Sequence, residues 1–178
     1  LSPLACPFVL CPPSLARALD AAPLSKSGPV AGRQVIVQAF PAVTRVIPRK
    51  GNRAIQGLYV RKELVGYAYQ SLDFVQTPAY SGKPVNAMVV LDAEGTIKAA
   101  KVIHHDEPIL LVGIPESKMH AFTDQYTGLK ADQRVTVGGT STERKVAVDG
   151  LSGATVTVMV INEVIMRTAH RVAVELGM

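Results

Sequence analysis

The chain has no tryptophan, and only 5% of its 178 residues are aromatic. Few flat rings argue against a surface that stacks nucleic-acid bases. The formal net charge of +5 would suit an anionic partner. However, the basic residues stand in scattered pairs, such as Arg49-Lys50, Arg61-Lys62 and Arg144-Lys145, and form no single patch. The composition therefore predicts no nucleic-acid partner.

Cysteine is also scarce, with Cys6 and Cys11 both near the beginning of the chain. No further thiol or histidine cluster accompanies them, so we expect no zinc or iron–sulfur site. A disulfide between them and two free thiols both remain open. The surrounding stretch is apolar and broken by prolines, which suggests the remnant of an export signal or a leftover of expression. We therefore predict a tail and linker over residues 1–30 and place the domain at 31–178.

Long apolar runs and glycine-rich phosphate loops are missing too. The best apolar run, 156–161, stops at Asn162-Glu163, well short of the roughly 20 residues that a membrane-spanning helix needs. The glycine patterns of Rossmann and P-loop sites do not occur, so an exchangeable dinucleotide of those kinds is not expected. With 48% hydrophobic and 19% charged residues, the sequence predicts one globular domain with a proper core.

The first half of this domain has the patterns of a helix and two hairpins. Apolar residues at near-helical spacing predict one or two short helices over 35–46, stopped by Pro48. Residues 25–29 form a linker before them. Alternating apolar runs, separated by turn residues, then predict two hairpins. Their four strands cover 55–60, 64–72, 85–91 and 97–103.

The second half combines helices with one short strand. Pro115-Glu116 begins a helix that ends before Gly128, with Met119, Phe122 and Tyr126 on one face. A loop over 138–145 leads to a strand at 146–148 and to a final helix that runs to about Gly177. On that helix we expect a buried stripe, consisting of Met159, Val160, Val164 and Ile165. The whole pattern predicts an α+β fold, in which an antiparallel sheet packs against helices.

One motif carries chemistry, the heptapeptide Asp149-Gly150-Leu151-Ser152-Gly153-Ala154-Thr155. It resembles the attachment motif of covalently flavinylated proteins, Asp-x-x-Ser/Thr-Gly-Ala-Thr. The resemblance implies that a flavin transferase moves FMN from FAD onto the hydroxyl of Thr155 as a phosphoester. It also implies that Asp149, Ser152, Gly153 and Ala154 are read by the transferase and shape the start of the helix.

Elementary chemistry agrees with this use of the motif. Attachment requires a hydroxyl nucleophile, and the small neighbours Gly153 and Ala154 let another protein approach the backbone closely. With Ser152 as the N-cap, Thr155 would lie in the first helical turn, where free backbone N–H groups favour a phosphate. The alternative is an ordinary turn that caps a core helix.

A second segment, His104-His105-Asp106-Glu107-Pro108, resembles the His-x-Glu-Pro segment of FMN-binding subunits in membrane electron-transport complexes. Its continuation to Glu116, together with Tyr80-Ser81-Gly82-Lys83-Pro84, is similar to the periplasmic flavin domain of the NosR family. His105 and Glu107 then occupy the motif positions, whereas His104 stands where the family more often has an acidic residue. The resemblance implies that His105 and Glu107 bind near the flavin ring. Alternatively, both residues terminate a strand and satisfy loop backbone groups.

The same resemblance implies a function. The chain would be the periplasmic part of a larger inner-membrane protein with transmembrane and iron–sulfur domains, and it would not turn over a small substrate. One FMN would transfer electrons in support of maturation or activity of nitrous oxide reductase. The expected partners are the flavin transferase and nitrous oxide reductase or its assembly factors. Two alternatives are the flavinylated subunit of an ion-pumping complex and a flavin-free regulatory or binding module.

Overall fold

The structure, a computed structural model, describes residues 29–178. The predictions for Cys6, Cys11 and the tail lie outside the described residues, as does most of the linker at 25–29. Within the described range, no helix is both long and apolar enough to cross a membrane.

A five-stranded sheet forms the centre of the domain, and strands that follow one another in the chain pair antiparallel. The alternating patterns of the two predicted hairpins are confirmed, and one further strand precedes them. The strands are β1 (Arg45–Pro48), β2 (Gln56–Val60), β3 (Glu63–Gln70), β4 (Asn86–Asp92) and β5 (Ile97–His104).

Helices and a small second sheet complete the chain. The helices are α1 (Pro29–Ala39), α2 (Pro108–Val112), α3 (Glu116–Asp124) and α4 (Thr155–Leu176). Strands β6 (Val135–Val137) and β7 (Val146–Val148) pair in parallel and lead into α4. The domain is thus of the predicted α+β class, although α2 and β6 were not predicted.

Two apolar cores lie on opposite faces of the sheet, because side chains alternate along each strand. On β4, Met88 and Val90 pack on the α1 side with Ile36, whereas Val89 and Leu91 belong to the larger core. That larger core includes α3 and α4, and all of β4 from 87 to 91 is 0% exposed. Helix α4 is therefore fixed along its length, which gives its first turn a defined position.

Two predictions about elements were wrong. The predicted helical stretch 35–46 is helical only to Ala39, because Arg45–Pro48 pairs with β2 as an edge strand. On α4, Val164 and Ile165 are buried as predicted, but Met159 is 54% exposed and Val160 is only partly buried, and the inward stripe begins with Thr157, Val158 and Ile161. This stripe follows the three- and four-residue spacing that one helix face requires.

Candidate functional site

The predicted attachment motif forms the connection between β7 and α4. The N–H of Ala154 donates to the carbonyl of Leu151 at 3.1 Å, which closes a turn directly before the helix. Gly153 has a φ of +86°, a conformation that glycine adopts without strain, and no heavy atom lies within 4 Å of an added Cβ there. The backbone beside Thr155 is therefore open to an approaching molecule.

The helix begins at Thr155, and Ala154 occupies the N-cap without a side-chain hydrogen bond. The expectation that Ser152 is the N-cap is wrong, because the turn and the left-handed Gly153 separate Ser152 from the first helical residue. Thr155 nevertheless lies in the first turn, as expected. The backbone N–H groups of such a turn have no partner within the helix and attract anions.

The two threonines of this turn differ in accessibility. Thr155 is exposed at the surface, whereas Thr157 is only 1% exposed. The Thr157 hydroxyl donates to Oε2 of Glu107 at 2.6 Å. Thr155 is thus the hydroxyl of this pair that another molecule can reach.

A cavity of about 420 Å³ adjoins Thr155, which is within the usual size range of small-molecule sites. Its walls come from three parts of the chain: the start of α4 with Gly153 and Ala154, the loop residue Tyr80, and Ile109 of α2. Tyr80 is 74% exposed and offers an aromatic face. No residue that lines this cavity in the described chain carries a charge.

Glu107 contacts Thr157, which lines this cavity, and is itself 0% exposed. Its Oε1 accepts the N–H of Ser81 at 2.8 Å, while Oε2 accepts the Thr157 hydroxyl. Burial acts to raise the pKa of the Glu107 carboxyl, but hydrogen bonds from Thr157, Ser81 and Tyr80 outweigh it and lower the pKa below its ordinary value. Glu107 is therefore an ionised carboxylate inside the protein.

His105 is placed differently from Glu107. Its imidazole is half-buried and lines a second cavity of about 570 Å³, together with Leu110 of α2 and His120 of α3. Its Nδ1 accepts the N–H of Glu107 at a long 3.4 Å. His104 is more exposed and faces Asp106, with 3.7 Å between Nε2 and Oδ2. The two predicted residues His105 and Glu107 are therefore close in the chain but differ in environment: His105 lines the second cavity, and Glu107 is buried.

Asp149 lies at the outer end of the motif and is exposed. Gln125 holds its backbone on both sides: Oε1 accepts the N–H of Asp149 at 2.7 Å, and Nε2 donates to its carbonyl at 3.1 Å. The backbone is fixed while the carboxylate stays at the surface. This arrangement suits a residue that another protein reads.

Among the residues that build the site, Thr157, Ile109 and Gln125 were not predicted as parts of it. The inward position of Thr157 could have been found from its spacing to Ile161, Val164 and Thr168, which are all buried. Gln125 follows α3 and contacts a segment 24 residues further along the chain. No local pattern in the sequence indicates such a contact.

The chain is similar in sequence to known proteins. Residues 80–170 match the model of the FMN-binding domain family. The chain is 53% identical over 143 residues to the regulatory protein NosR of Pseudomonas aeruginosa. These aligned residues make up 80% of this chain and 20% of that protein. It is 47% identical over 148 residues to the regulatory protein NosR of Stutzerimonas stutzeri, with 83% and 20% covered.

A more distant relative is the protein NirI of Paracoccus denitrificans, which is 30% identical over 115 residues, covering 65% of this chain and 16% of NirI. The chain thus spans about a fifth of the length of the NosR proteins that it matches. The family match contains every residue that lines the cavity at Thr155.

Proposed function

This chain belongs to the FMN-binding domain family, and we propose that it carries one FMN as a phosphoester on Thr155. The observation that carries the proposal is the accessible Thr155 hydroxyl, in the first turn of α4 and beside a cavity of ligand size. The neighbouring Thr157 hydroxyl is buried and already engaged.

The residues present fit this group. The N–H groups of the first helical turn favour the single negative charge of a phosphodiester. Gly153 leaves room beside the backbone, while Tyr80 and Ile109 offer an aromatic and an apolar surface to a flat ring. When bound, the flavin supplies one- or two-electron transfer.

Attachment is a phosphoryl-type transfer in which the Thr155 hydroxyl is the nucleophile. Its oxygen bonds to the phosphorus of the FMN half of FAD, the pyrophosphate bond breaks, and AMP leaves. The proton of the hydroxyl passes to the flavin transferase. In this proposal Asp149, Ser152, Gly153 and Ala154 are recognised by the transferase, and the fixed backbone of Asp149 supports that part.

We propose further that the domain serves in the periplasm as an electron carrier for maturation or activity of nitrous oxide reductase. The identity of 53% to a NosR protein supports this function over that of a subunit in an ion-pumping complex. Membrane and iron–sulfur domains would then belong to the remaining four-fifths of a NosR-like protein.

The attachment is tested with Thr155→Val, which keeps the branched shape of the side chain and removes the hydroxyl. Wild-type protein incubated with a flavin transferase and FAD should gain the mass of one esterified FMN and stay yellow after denaturation. Thr155→Val should fold and gain neither. Intact mass and the visible spectrum of the denatured protein provide the measurement.

The matched control is Thr127→Val, at an exposed threonine away from the cavity, which should incorporate flavin as the wild type does. Flavin that remains bound to denatured Thr155→Val would refute the assignment. A wild-type protein that never gains flavin would favour the flavin-free regulatory module.

A further inference from the structure

Glu107 joins all three walls of the cavity at Thr155, two through its buried carboxylate and one through its backbone carbonyl. Its Oε1 holds the backbone of Ser81, next to Tyr80. Its carbonyl accepts the N–H groups of Leu110 at 3.1 Å and Leu111 at 3.2 Å, and so starts α2, which carries Ile109. Its Oε2 holds Thr157 in the first turn of α4.

Such a position is costly for a charged group. Removing a carboxylate from water is unfavourable unless hydrogen bonds or an opposite charge compensate. Among the described residues, no lysine, arginine or histidine forms an ion pair with Glu107. The compensation therefore comes from the hydroxyl of Thr157 and the loop at Ser81. Each of these donors is fixed in return by a strong, charge-assisted hydrogen bond.

The bond to Thr157 adds a polar anchor to the first turn of α4, which its buried apolar side chains also hold. Thr155 and Thr157 are two residues apart and so point to different sides of the helix, about 200° from each other. With the Thr157 side chain held inward by Glu107, the Thr155 hydroxyl is directed outward beside the cavity. The two threonines thus have separate roles. Thr157 anchors the start of α4 to Glu107, and Thr155 is the acceptor of the FMN.

We propose that Glu107 is a positioning residue for flavin attachment, which acts through Thr157 to present the Thr155 hydroxyl. The proposal rests on the function proposed above and assigns no contact between Glu107 and the flavin. It differs from the expectation from sequence, in which Glu107 binds near the flavin ring. A precisely placed nucleophile raises the rate of the chemical step, since displacement by even an ångström is costly.

The test compares Thr157→Val, Thr157→Ser and Glu107→Gln with wild type, using purified flavin transferase and FAD. Thr157→Val keeps the shape and removes the hydroxyl, so the initial rate of incorporation should fall roughly tenfold or more. Thr157→Ser keeps the hydroxyl and should stay within about twofold. Glu107→Gln should lie between them, because hydrogen bonds to a neutral amide are weaker.

Rates are compared per folded protein, with the folded fraction taken from thermal unfolding followed by circular dichroism. A positioning role lowers kcat of the transferase for this protein and leaves KM nearly unchanged. Folded Thr157→Val that is flavinylated at the wild-type rate would overturn the proposal. If Thr157→Val does not fold, equal rates for Glu107→Gln and wild type overturn it instead. A wild-type protein that takes no flavin at all refutes the attachment itself and is recognised separately.

Discussion

Glu107 also links the stability of the domain to pH. Its folded-state pKa lies below the ordinary glutamate value, so the unfolded chain takes up a proton first as the pH falls. The stabilisation from the ionised carboxylate is therefore complete above about pH 4.3, the ordinary glutamate pKa. It is lost as the pH falls from there through the folded-state pKa.

Glu107→Gln should consequently lower the free energy of unfolding at neutral pH by about 1–3 kcal/mol. The difference from wild type should shrink as the pH falls below about 4.3. Urea unfolding curves at a series of pH values, from neutral down to roughly pH 3, give the free energy of unfolding of each variant. Glu94→Gln, in the exposed turn between β4 and β5, is the control and should follow the wild type. A constant difference between Glu107→Gln and wild type across this range would contradict the linkage.

At this scale the sequence motifs name candidate residues but do not indicate where their side chains face. The motif at 149–155 and the pair His105 and Glu107 are candidates from sequence motifs alone. His105 lines the second cavity whereas Glu107 is buried, and this difference arises in the loop between β5 and α2, where neither strand nor helix periodicity applies. The partner of Glu107 is Thr157, 50 residues away, and no local pattern connects the two.

At the scale of elements, length and periodicity decided what could be predicted. Both hairpins and α4 have patterns long enough to show their period. Helix α2 has five residues and β6 has three, which is too short for a period to appear. Strand β1 carries apolar spacing compatible with a helix, yet its pairing with β2 decides its conformation. Tertiary contacts overrode the local pattern there.

Helix α2 separates the two cavities and is anchored by one buried side chain, Leu110, which is 9% exposed. Leu110→Ala should destabilise the domain by about 2–3 kcal/mol, since it removes buried apolar contacts and leaves a void. Val112, at the end of the same helix, is 92% exposed. Val112→Ala should change the free energy of unfolding by no more than about 0.5 kcal/mol. Chemical denaturation compares the two variants, and equal effects would show that α2 is not anchored through Leu110.

At the scale of the whole molecule, the segment that matches the family is shorter than the folded domain. The match begins at residue 80, between β3 and β4. Strand β4 is hydrogen-bonded to β3 on one side and to β5 on the other. Its Met88 and Val90 belong to the core beneath α1. The family segment therefore relies on strands and a helix that precede it.

A fragment of residues 80–178 should fail to unfold cooperatively, because it would expose a long apolar edge and one face of β4. Such an edge favours aggregation. The comparison is with residues 29–178, which retain the complete sheet, by thermal unfolding and by sedimentation. A cooperative transition in the shorter fragment would show that the sheet beyond β4 is dispensable.

The uncharged lining of the cavity at Thr155 has a consequence for how the proposed flavin is retained. Ionic contacts to a phosphate weaken as salt rises, and any reversible ligand is lost on dilution. A cofactor joined to the chain meets its cavity as an intramolecular partner, at an effective concentration on the order of millimolar. Occupancy is then set by the length of the tether and is independent of the supply of free FMN around the protein. Weak, uncharged walls would suffice for a flavin attached in this way, and they would leave its ring free to move between the cavity and a redox partner.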